Sequence, residues 1–161
     1  MKSIKKREMI DIKFDCQIEF NKPTIKKFVK NSVDLILEML NNKKNIYISI
    51  FLTNDDNIRK INLRFRNINK ATNVLSFPQN EERMILEKGN FLILGDIVIS
   101  LEKILAEAKE QNKTFNDHLL HMIVHGTLHL MGYDHENVND AKVMERKEQD
   151  IVSKVSCILA T

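Results

Sequence analysis

The sequence predicts an α+β fold in which helices pack on a mixed sheet of about four strands. Two observations lead to this prediction. Four short segments contain alternating or continuous apolar residues, as strands do, and five longer segments repeat their apolar residues at the period of a helix. Their order is β-α-β-α-β-β-α-α-α. With 161 residues, 43% of them hydrophobic and 29% charged, the chain has the size and composition of one globular domain covering residues 1–161.

The predicted strands differ in their apolar pattern. Residues 10–20 (IDIKFDCQIEF) alternate over most of their length, which indicates a half-buried strand. Residues 45–52 (NIYISIFL) are rich in strong β formers, and residues 72–78 (TNVLSFP) form a short extended segment that ends at a proline. Residues 91–100 (FLILGDIVIS) are mostly apolar, which indicates a central strand covered on both faces. The polar segment 81–90 is expected to be a loop or a hairpin connection.

Start and stop signals bound the predicted helices. Pro23 opens the first helix at a position that a helix tolerates, and Asn41 and Asn42 are expected to end it. The last helix is amphipathic and covers residues 138–159. The N-caps of the three helices between them are expected to be Asn54, Ser100 and Thr114.

Cysteine usage and hydropathy predict a cytoplasmic protein. Cys16 and Cys157 lie far apart in the sequence and form neither a disulfide framework nor a C-x-x-C site. The basic first 14 residues lead into no apolar segment, so we expect no signal peptide. No apolar run approaches the roughly 20 residues that a membrane span needs.

The charges are distributed unevenly along the chain. Residues 1–70 contain 16 Lys and Arg against 8 Asp and Glu, whereas residues 71–161 contain 9 against 14. A basic first half suits an anionic partner such as nucleic acid. The alternative is an ordinary lysine-rich surface that binds nothing, and charge alone does not decide between the two.

The segment HGTLHLMGYDH (125–135) contains three of the five histidines in the chain. His125 and His129 lie four residues apart, on one face of a predicted helix. Gly132 is expected to end that helix with a left-handed residue and to return His135 to the same place. Three imidazoles with one open position are typical of a catalytic zinc ion. An isolated H-x3-H pair is more often solvated or packed in a core, but the glycine and the third histidine favour a metal site.

The other two histidines of this helix have a weaker claim. His118 and His121 fall on the same side of the predicted helix, within about 80° of arc together with His125 and His129. We expect each of them to be a hydrogen-bonding partner or a packing residue rather than a ligand.

The same histidine spacing occurs in the metzincin zinc peptidases, H-E-x-x-H-x-x-G-x-x-H. Gly126 stands here where those enzymes have their general-base glutamate. Zinc lowers the pKa of bound water to about 7, so a hydrolytic reaction needs less help from a base. A phosphodiester substrate would instead need a cation that offsets the charge developing on the phosphoryl oxygens.

Three blocks of the sequence resemble the YbeY family of bacterial ribosomal RNA maturation factors. They are HGTLHLMGYDH (125–135), INLRFRNINKATNVLSFPQ (61–79) and LGDIVIS (94–100), and the resemblance extends over about residues 45–140. The family commonly has Gly, Asp and Pro where this chain has Asn67, Asn69 and Ala71.

This resemblance implies a zinc-dependent endoribonuclease that cleaves single-stranded RNA. It implies action on the 3′ end of the small-subunit ribosomal RNA and in ribosome quality control, with ribosomal RNA or the ribosomal subunit as partner. It also implies one zinc ion per chain held by His125, His129 and His135. Catalytic roles are expected for Arg66, which would bind or stabilise the phosphate, and for His125.

Several alternatives stay open at this level. The nucleophile is a water or hydroxide on the metal, or a metal-activated ribose hydroxyl. Asp134 and Asp96 are candidate proton acceptors only because they lie near the motifs. A non-catalytic zinc-containing ribosome-assembly factor and a metallopeptidase are the two rival functions, and Gly126 disfavours the peptidase.

Overall fold

The computed structural model describes residues 8–16, 20–40, 45–79, 83–86 and 89–160. It confirms the predicted order of elements and adds one short strand. The elements are β1 (Glu8–Asp15), α1 (Lys22–Met39), β2 (Ile46–Thr53), α2 (Asp55–Arg66), β3 (Val74–Pro78), β4 (Arg83–Leu86), β5 (Gly89–Ser100), α3 (Leu101–Glu110), α4 (Phe115–Leu130) and α5 (Val138–Leu159).

The sheet is mixed, as predicted, and β5 is its central strand. The strands are arranged in the order β1-β2-β5-β3, with β1 parallel to β2 and β2 parallel to β5. On its other side β5 pairs antiparallel with β3 and, further along, with β4. Within the polar segment 81–90, the described residues Arg83–Leu86 form the additional strand β4, and their antiparallel pairing with the start of β5 agrees with the expected hairpin connection.

Apolar residues of β5 point alternately to two cores, which is why the sequence of this strand is almost continuously apolar. Ile97 and Ile99 belong to the large core, together with residues of β2, α1, α3, α4 and α5. Val98 faces the opposite side and packs with Ile58 of α2 and Leu75 of β3. The sheet thus has a thick helical layer on one face and α2 on the other.

The glycine in the middle of β5 brings β3 close to the end of α4. Gly95 has φ 142°, and the pairing of β2 with β5 shifts by one residue at this point. A Cβ atom on Gly95 would lie 2.3 Å from the carbonyl oxygen of Phe77 and 2.9 Å from Cδ2 of Leu130. Only glycine permits this approach, and it places the C-terminal end of β3 beside the C-terminal end of α4.

The side chains of Asn54, Ser100 and Thr114 cap their helices as predicted, each accepting a backbone N–H three residues further on. The first helix is capped by Asn21, one residue earlier than the proline suggested. It ends at Met39, and the predicted stop residues 41 and 42 lie outside the described residues, as do residues 17–19 of the predicted first strand.

The helix α4 is buried on most of its circumference and is surrounded by α1, α3 and α5 and by the strands β3 and β5. Its side chains that stay partly accessible include His121, His125 and His129. None of the described helices has both the length and the apolar character needed to cross a membrane.

Candidate metal centre

The helix α4 ends in a hydrogen-bonded turn that depends on Gly132. This residue has φ 98°, its N–H donates to the carbonyl of His129 at 3.1 Å, and the N–H of Tyr133 donates to the carbonyl of Leu128 at 3.0 Å. This pair of bonds is the Schellman motif, in which a left-handed residue after the helix satisfies its last carbonyls. The predicted role of Gly132 is therefore confirmed.

The chain after this turn brings a third imidazole back to the helix. Ligand atoms of His125, His129 and His135 all lie within 4.8 Å of one another. The Nε2 atoms of His125 and His129 are 3.2 Å apart, and the carboxylate of Asp134 accepts the backbone N–H of His135 at 2.7 Å. The three histidines are thus positioned to hold one metal ion.

The electrostatic surroundings keep His129 in the form that binds metals. Burial lowers the pKa of the His129 imidazole, and the neighbouring His125 and His135 lower it further. An imidazole with a lowered pKa is neutral at pH 7, and only a neutral imidazole has a lone pair for a metal ion.

The last helix contributes a buried carboxylate that supports this cluster. Oε2 of Glu148 lies 3.0 Å from Nδ1 of His125, and its other oxygen contacts Nε2 of His121. Burial raises the pKa of the Glu148 carboxyl, but hydrogen bonds from His121 and His125 outweigh it and hold the pKa at about 2. The carboxylate is therefore ionised and accepts from both rings. The Nδ1–H of His125 is used in this bond, so its Nε2 remains available to a metal ion.

Glu148 was not predicted from the sequence, although a signal exists there. The buried residues of α5 are Met144, Glu148, Ile151 and Val155, which recur at helical spacing. An acidic residue within such an apolar stripe must find partners in the protein, because an unpaired buried charge is costly. The partner could not be named without the fold, since α4 and α5 meet only through tertiary packing.

The two histidines that were not expected to be ligands lie outside the cluster. His121 bonds to Glu148, and its Nδ1 lies 3.5 Å from Nζ of Lys113. His118 is only 2% exposed, and its Nε2 lies 2.7 Å from a carboxylate oxygen of Glu107 on α3. Glu107 also accepts from the amide of Asn73, so His118 belongs to a polar network that joins α4, α3 and the start of β3.

The histidine cluster opens into a cleft of about 540 Å³, and Arg66 lies on its wall. Arg66 is the last residue of α2, and its Nη2 donates to the carbonyl of Ser76 on β3 at 2.9 Å. The fold therefore brings an arginine and three histidines, some 60 residues apart in sequence, to one cleft. Asp134 also lines the cleft, whereas Asp96 is not among its lining residues.

Gly126 faces the sheet. A Cβ atom at this position would lie 3.1 Å from Cγ2 of Ile97 and 3.2 Å from Oγ of Ser76. The hydroxyl of Ser76 also lies 3.3 Å from the carbonyl of Gly126, as a hydrogen-bond donor. The glycine allows α4 to lie against β3 and β5, and the space beyond it is filled where a peptidase would need a glutamate side chain.

The basic character of residues 1–70 is only partly visible at this cleft. The segments 1–7 and 41–44, which contain six Lys and Arg residues, lie outside the described residues. On α2, Arg59 and Lys60 pair with Asp56. Arg64 and Arg66 form no ion pair with any residue that the structure describes, and of the two only Arg66 lines the cleft.

Comparisons of both sequence and structure find known proteins that are similar to this chain over most of its length. A family model described as Endoribonuclease YbeY matches residues 11–156. An Endoribonuclease YbeY of Sulfurihydrogenibium sp. is 43% identical over 141 residues, which are 87% of this chain and 90% of that protein. The protein of the same name from Bartonella quintana is 49% identical over 111 residues, 68% of each chain. The solution structure of TM1509 from Thermotoga maritima superposes with a TM-score of 0.64 and 28% identity, covering 91% of this chain and 89% of that one.

Proposed function

The chain belongs to the YbeY family of endoribonucleases, and we propose that it cleaves phosphodiester bonds of single-stranded RNA at a zinc centre. The observation that supports this most strongly is the presence of the three histidines and Arg66 in one cleft. The histidines offer a metal site, and the arginine offers a cation for a phosphate. Residues 1–161 would form one hydrolase domain.

The donor set fits zinc. Two nitrogens at about 2.0–2.1 Å from a tetrahedral zinc ion lie about 3.3 Å apart, and the Nε2 atoms of His125 and His129 are 3.2 Å apart. Imidazole nitrogens suit zinc better than calcium or magnesium, which prefer oxygen. His125, His129 and His135 would hold the ion. Zinc, when bound, would act as a Lewis acid and activate the attacking hydroxyl group.

Arg66 would bind the scissile phosphate. Its guanidinium can present two parallel N–H donors to phosphate oxygens, and one of its nitrogens already donates to the carbonyl of Ser76. This bond fixes the side chain at the wall of the cleft before a substrate arrives. A fixed cation stabilises developing negative charge at no reorganisation cost.

A carboxylate of the cleft would receive the proton from the attacking hydroxyl. Asp134 is the better placed of the two expected acceptors, because it lines the cleft and precedes the ligand His135 directly. Its Oδ1 is occupied by the backbone N–H of His135, which leaves Oδ2 for the proton. Asp96, on the central strand, does not line the cleft and would take no part.

Ribosomal RNA is the substrate class that we propose, with processing of the small-subunit 3′ end and ribosome quality control as the biological role, in the cytoplasm. The basic first half of the chain would attract the RNA backbone over a long range. The test is cleavage of end-labelled RNA by the purified protein, with a single strand and the same strand annealed to its complement. We expect cuts within the single strand and protection of the duplex.

The RNA experiment and a casein digestion together separate the rival functions. Purified protein that binds the single strand and leaves it intact would support the assembly factor. Digestion of casein that stops on zinc chelation would support the peptidase, but the filled space around Gly126 predicts no digestion.

A further inference from the structure

An exposed aromatic ring lies at the end of α2, on the residue that precedes Arg66 of the cleft wall. Phe65 is 62% exposed, and it is the one aromatic residue among the exposed large hydrophobic residues that the structure describes. Its ring centroid lies 5.4 Å from that of Phe77 on β3, with the planes inclined at 59°. We call these two rings the aromatic platform. Single exposed apolar side chains are common on protein surfaces, so the neighbours of Phe65 decide whether its ring can bind a ligand.

Two arginines flank the aromatic platform. Cζ of Arg64 lies 5.3 Å from the ring centroid of Phe65, and Cζ of Arg66 lies 5.5 Å from that of Phe77. Arg66 and Pro78, which follows Phe77, line the cleft that holds the three histidines. Phe77 packs on the α2 side of β3 and neither ring lines the cleft, so the platform meets the cleft at Arg66, which touches both.

We propose that the aromatic platform binds a base of single-stranded RNA by stacking, at a nucleotide next to the scissile phosphate. This inference rests on the proposed function and adds the subsite that selects unpaired RNA. Proteins that bind single strands combine aromatic rings, on which bases stack, with cations that contact the backbone. A base within a duplex is covered on both faces by its neighbours, so only an unpaired nucleotide can place its face on Phe65.

Charge complementarity favours RNA over a second copy of this chain for this surface. Arg64 and Arg66 border the rings and form no ion pair within the described chain. A nucleotide supplies both a flat apolar face for the rings and a phosphate for the guanidinium groups. A second copy of this chain would bring two further arginines to the same place and add repulsion. Stacking also tolerates any base, which predicts weak sequence preference at this position.

Single-turnover cleavage by the zinc-loaded protein tests the proposal with conservative variants. Phe65→Leu keeps an apolar side chain but removes the ring, and Phe65→Tyr keeps the ring. We expect Phe65→Leu to raise the RNA concentration for half-maximal rate by about 5-fold or more, since stacking contributes about 1–3 kcal/mol per base. The rate at saturating RNA should change little. Phe65→Tyr should behave as the wild type, and so should Val143→Ala, an exposed apolar residue of α5.

A spectroscopic signal reports the stacking itself, without cleavage. The chain has no tryptophan, so Phe65→Trp introduces one fluorophore at the platform. We expect its emission to be quenched by a single-stranded oligonucleotide. An abasic oligomer of equal length, which has the phosphates but no bases, should leave the emission unchanged. Equal quenching by both oligomers, or binding of RNA without quenching, would overturn the proposal.

The outcomes separate this inference from the proposed function. Efficient cleavage by wild type with unchanged half-saturation in Phe65→Leu would remove the stacking subsite and leave the nuclease intact. If the zinc-loaded wild type neither cleaves nor binds RNA, the stacking subsite and the proposed nuclease function both fail. A wild-type dimer that Phe65→Leu converts to a monomer in sedimentation would assign the platform to contact between copies, against the proposal.

Discussion

The imidazole Nδ1 of His125 on α4 lies 3.0 Å from the carboxylate of Glu148 on α5, two residues that are 23 positions apart in sequence. The hydrogen bond determines which nitrogen of His125 carries the proton, because the ionised carboxylate can only accept. It also fixes the rotation of the ring. The packing of the last helix against α4 thereby orients a candidate metal ligand, although α5 itself supplies none.

Glu148→Gln should weaken zinc binding while leaving the fold intact. The amide keeps an acceptor for one histidine but loses the charge, and loss of such a supporting group typically costs 10- to 100-fold in metal affinity. Competition with a fluorescent zinc chelator measures this. Glu145→Gln, on the exposed face of the same helix, is the matched control and should bind zinc as the wild type does. Equal affinities in all three proteins would show that Glu148 does not support the site.

Arg66→Ala and Arg66→Lys should both lower the rate of RNA cleavage, and both should retain zinc. Losing one fixed donor to a developing charge typically costs about 10²–10³ in rate. Lysine keeps the charge but cannot form the bidentate contact with phosphate, so Arg66→Lys should recover little of the lost rate. Single-turnover cleavage with zinc analysis of each variant is the measurement. Arg59→Lys, on the same helix and paired with Asp56, is the control. Wild-type rates in both Arg66 variants would exclude a catalytic role.

RNA binding should weaken as salt rises. Each phosphate neutralised on a single strand contributes a slope of about −0.7 to the dependence of log affinity on log salt concentration. Three contacts would give a slope of about −2, so that raising the salt from 50 to 200 mM should weaken binding by about 16-fold. Fluorescence anisotropy of a labelled oligonucleotide measures it. An affinity that is independent of salt would exclude a substantial contact with the basic surface.

Asn67→Ala should destabilise the protein, and Asn67→Gly should not. Asn67 ends α2 with φ 59°, a left-handed conformation that costs most L-residues about 1–2 kcal/mol and that glycine adopts freely. Urea unfolding should show a loss of about 1 kcal/mol for alanine and no loss for glycine. The family commonly has glycine here, so this conformation explains why asparagine is accepted in its place. Equal stability of the alanine variant would contradict the assigned conformation.

Much of the fold could be predicted because it depends on local signals. The caps at Asn54, Ser100 and Thr114 bond to backbone groups three residues away, and Gly132 ends its helix through bonds within the same turn. The mostly apolar run of residues 91–100 also identified β5 as central, since a strand covered on both faces has few polar positions. The short strand β4 was not predicted as a strand, because it pairs only through its hairpin with β5.

The candidate site could be predicted only in part, since half of it is assembled by tertiary contacts. The three histidines lie within 11 residues and their spacing is a local property. The position of Arg66 was expected from the family resemblance alone, and the contact that fixes it, with the carbonyl of Ser76, requires β3 to lie beside α2. Glu148 reaches the cluster from the last helix, and no local pattern specifies its partners.

The claim that the three-histidine cleft cleaves RNA is tested most directly by removing the metal ion and adding it back. Purified protein should contain about one equivalent of zinc, lose cleavage of single-stranded RNA when a chelator removes the ion, and regain it on addition of zinc. The double variant His125→Ala, His129→Ala should contain no zinc and cleave nothing under the same conditions. Cleavage that survives complete removal of the metal, or that persists in the double variant, would contradict the account.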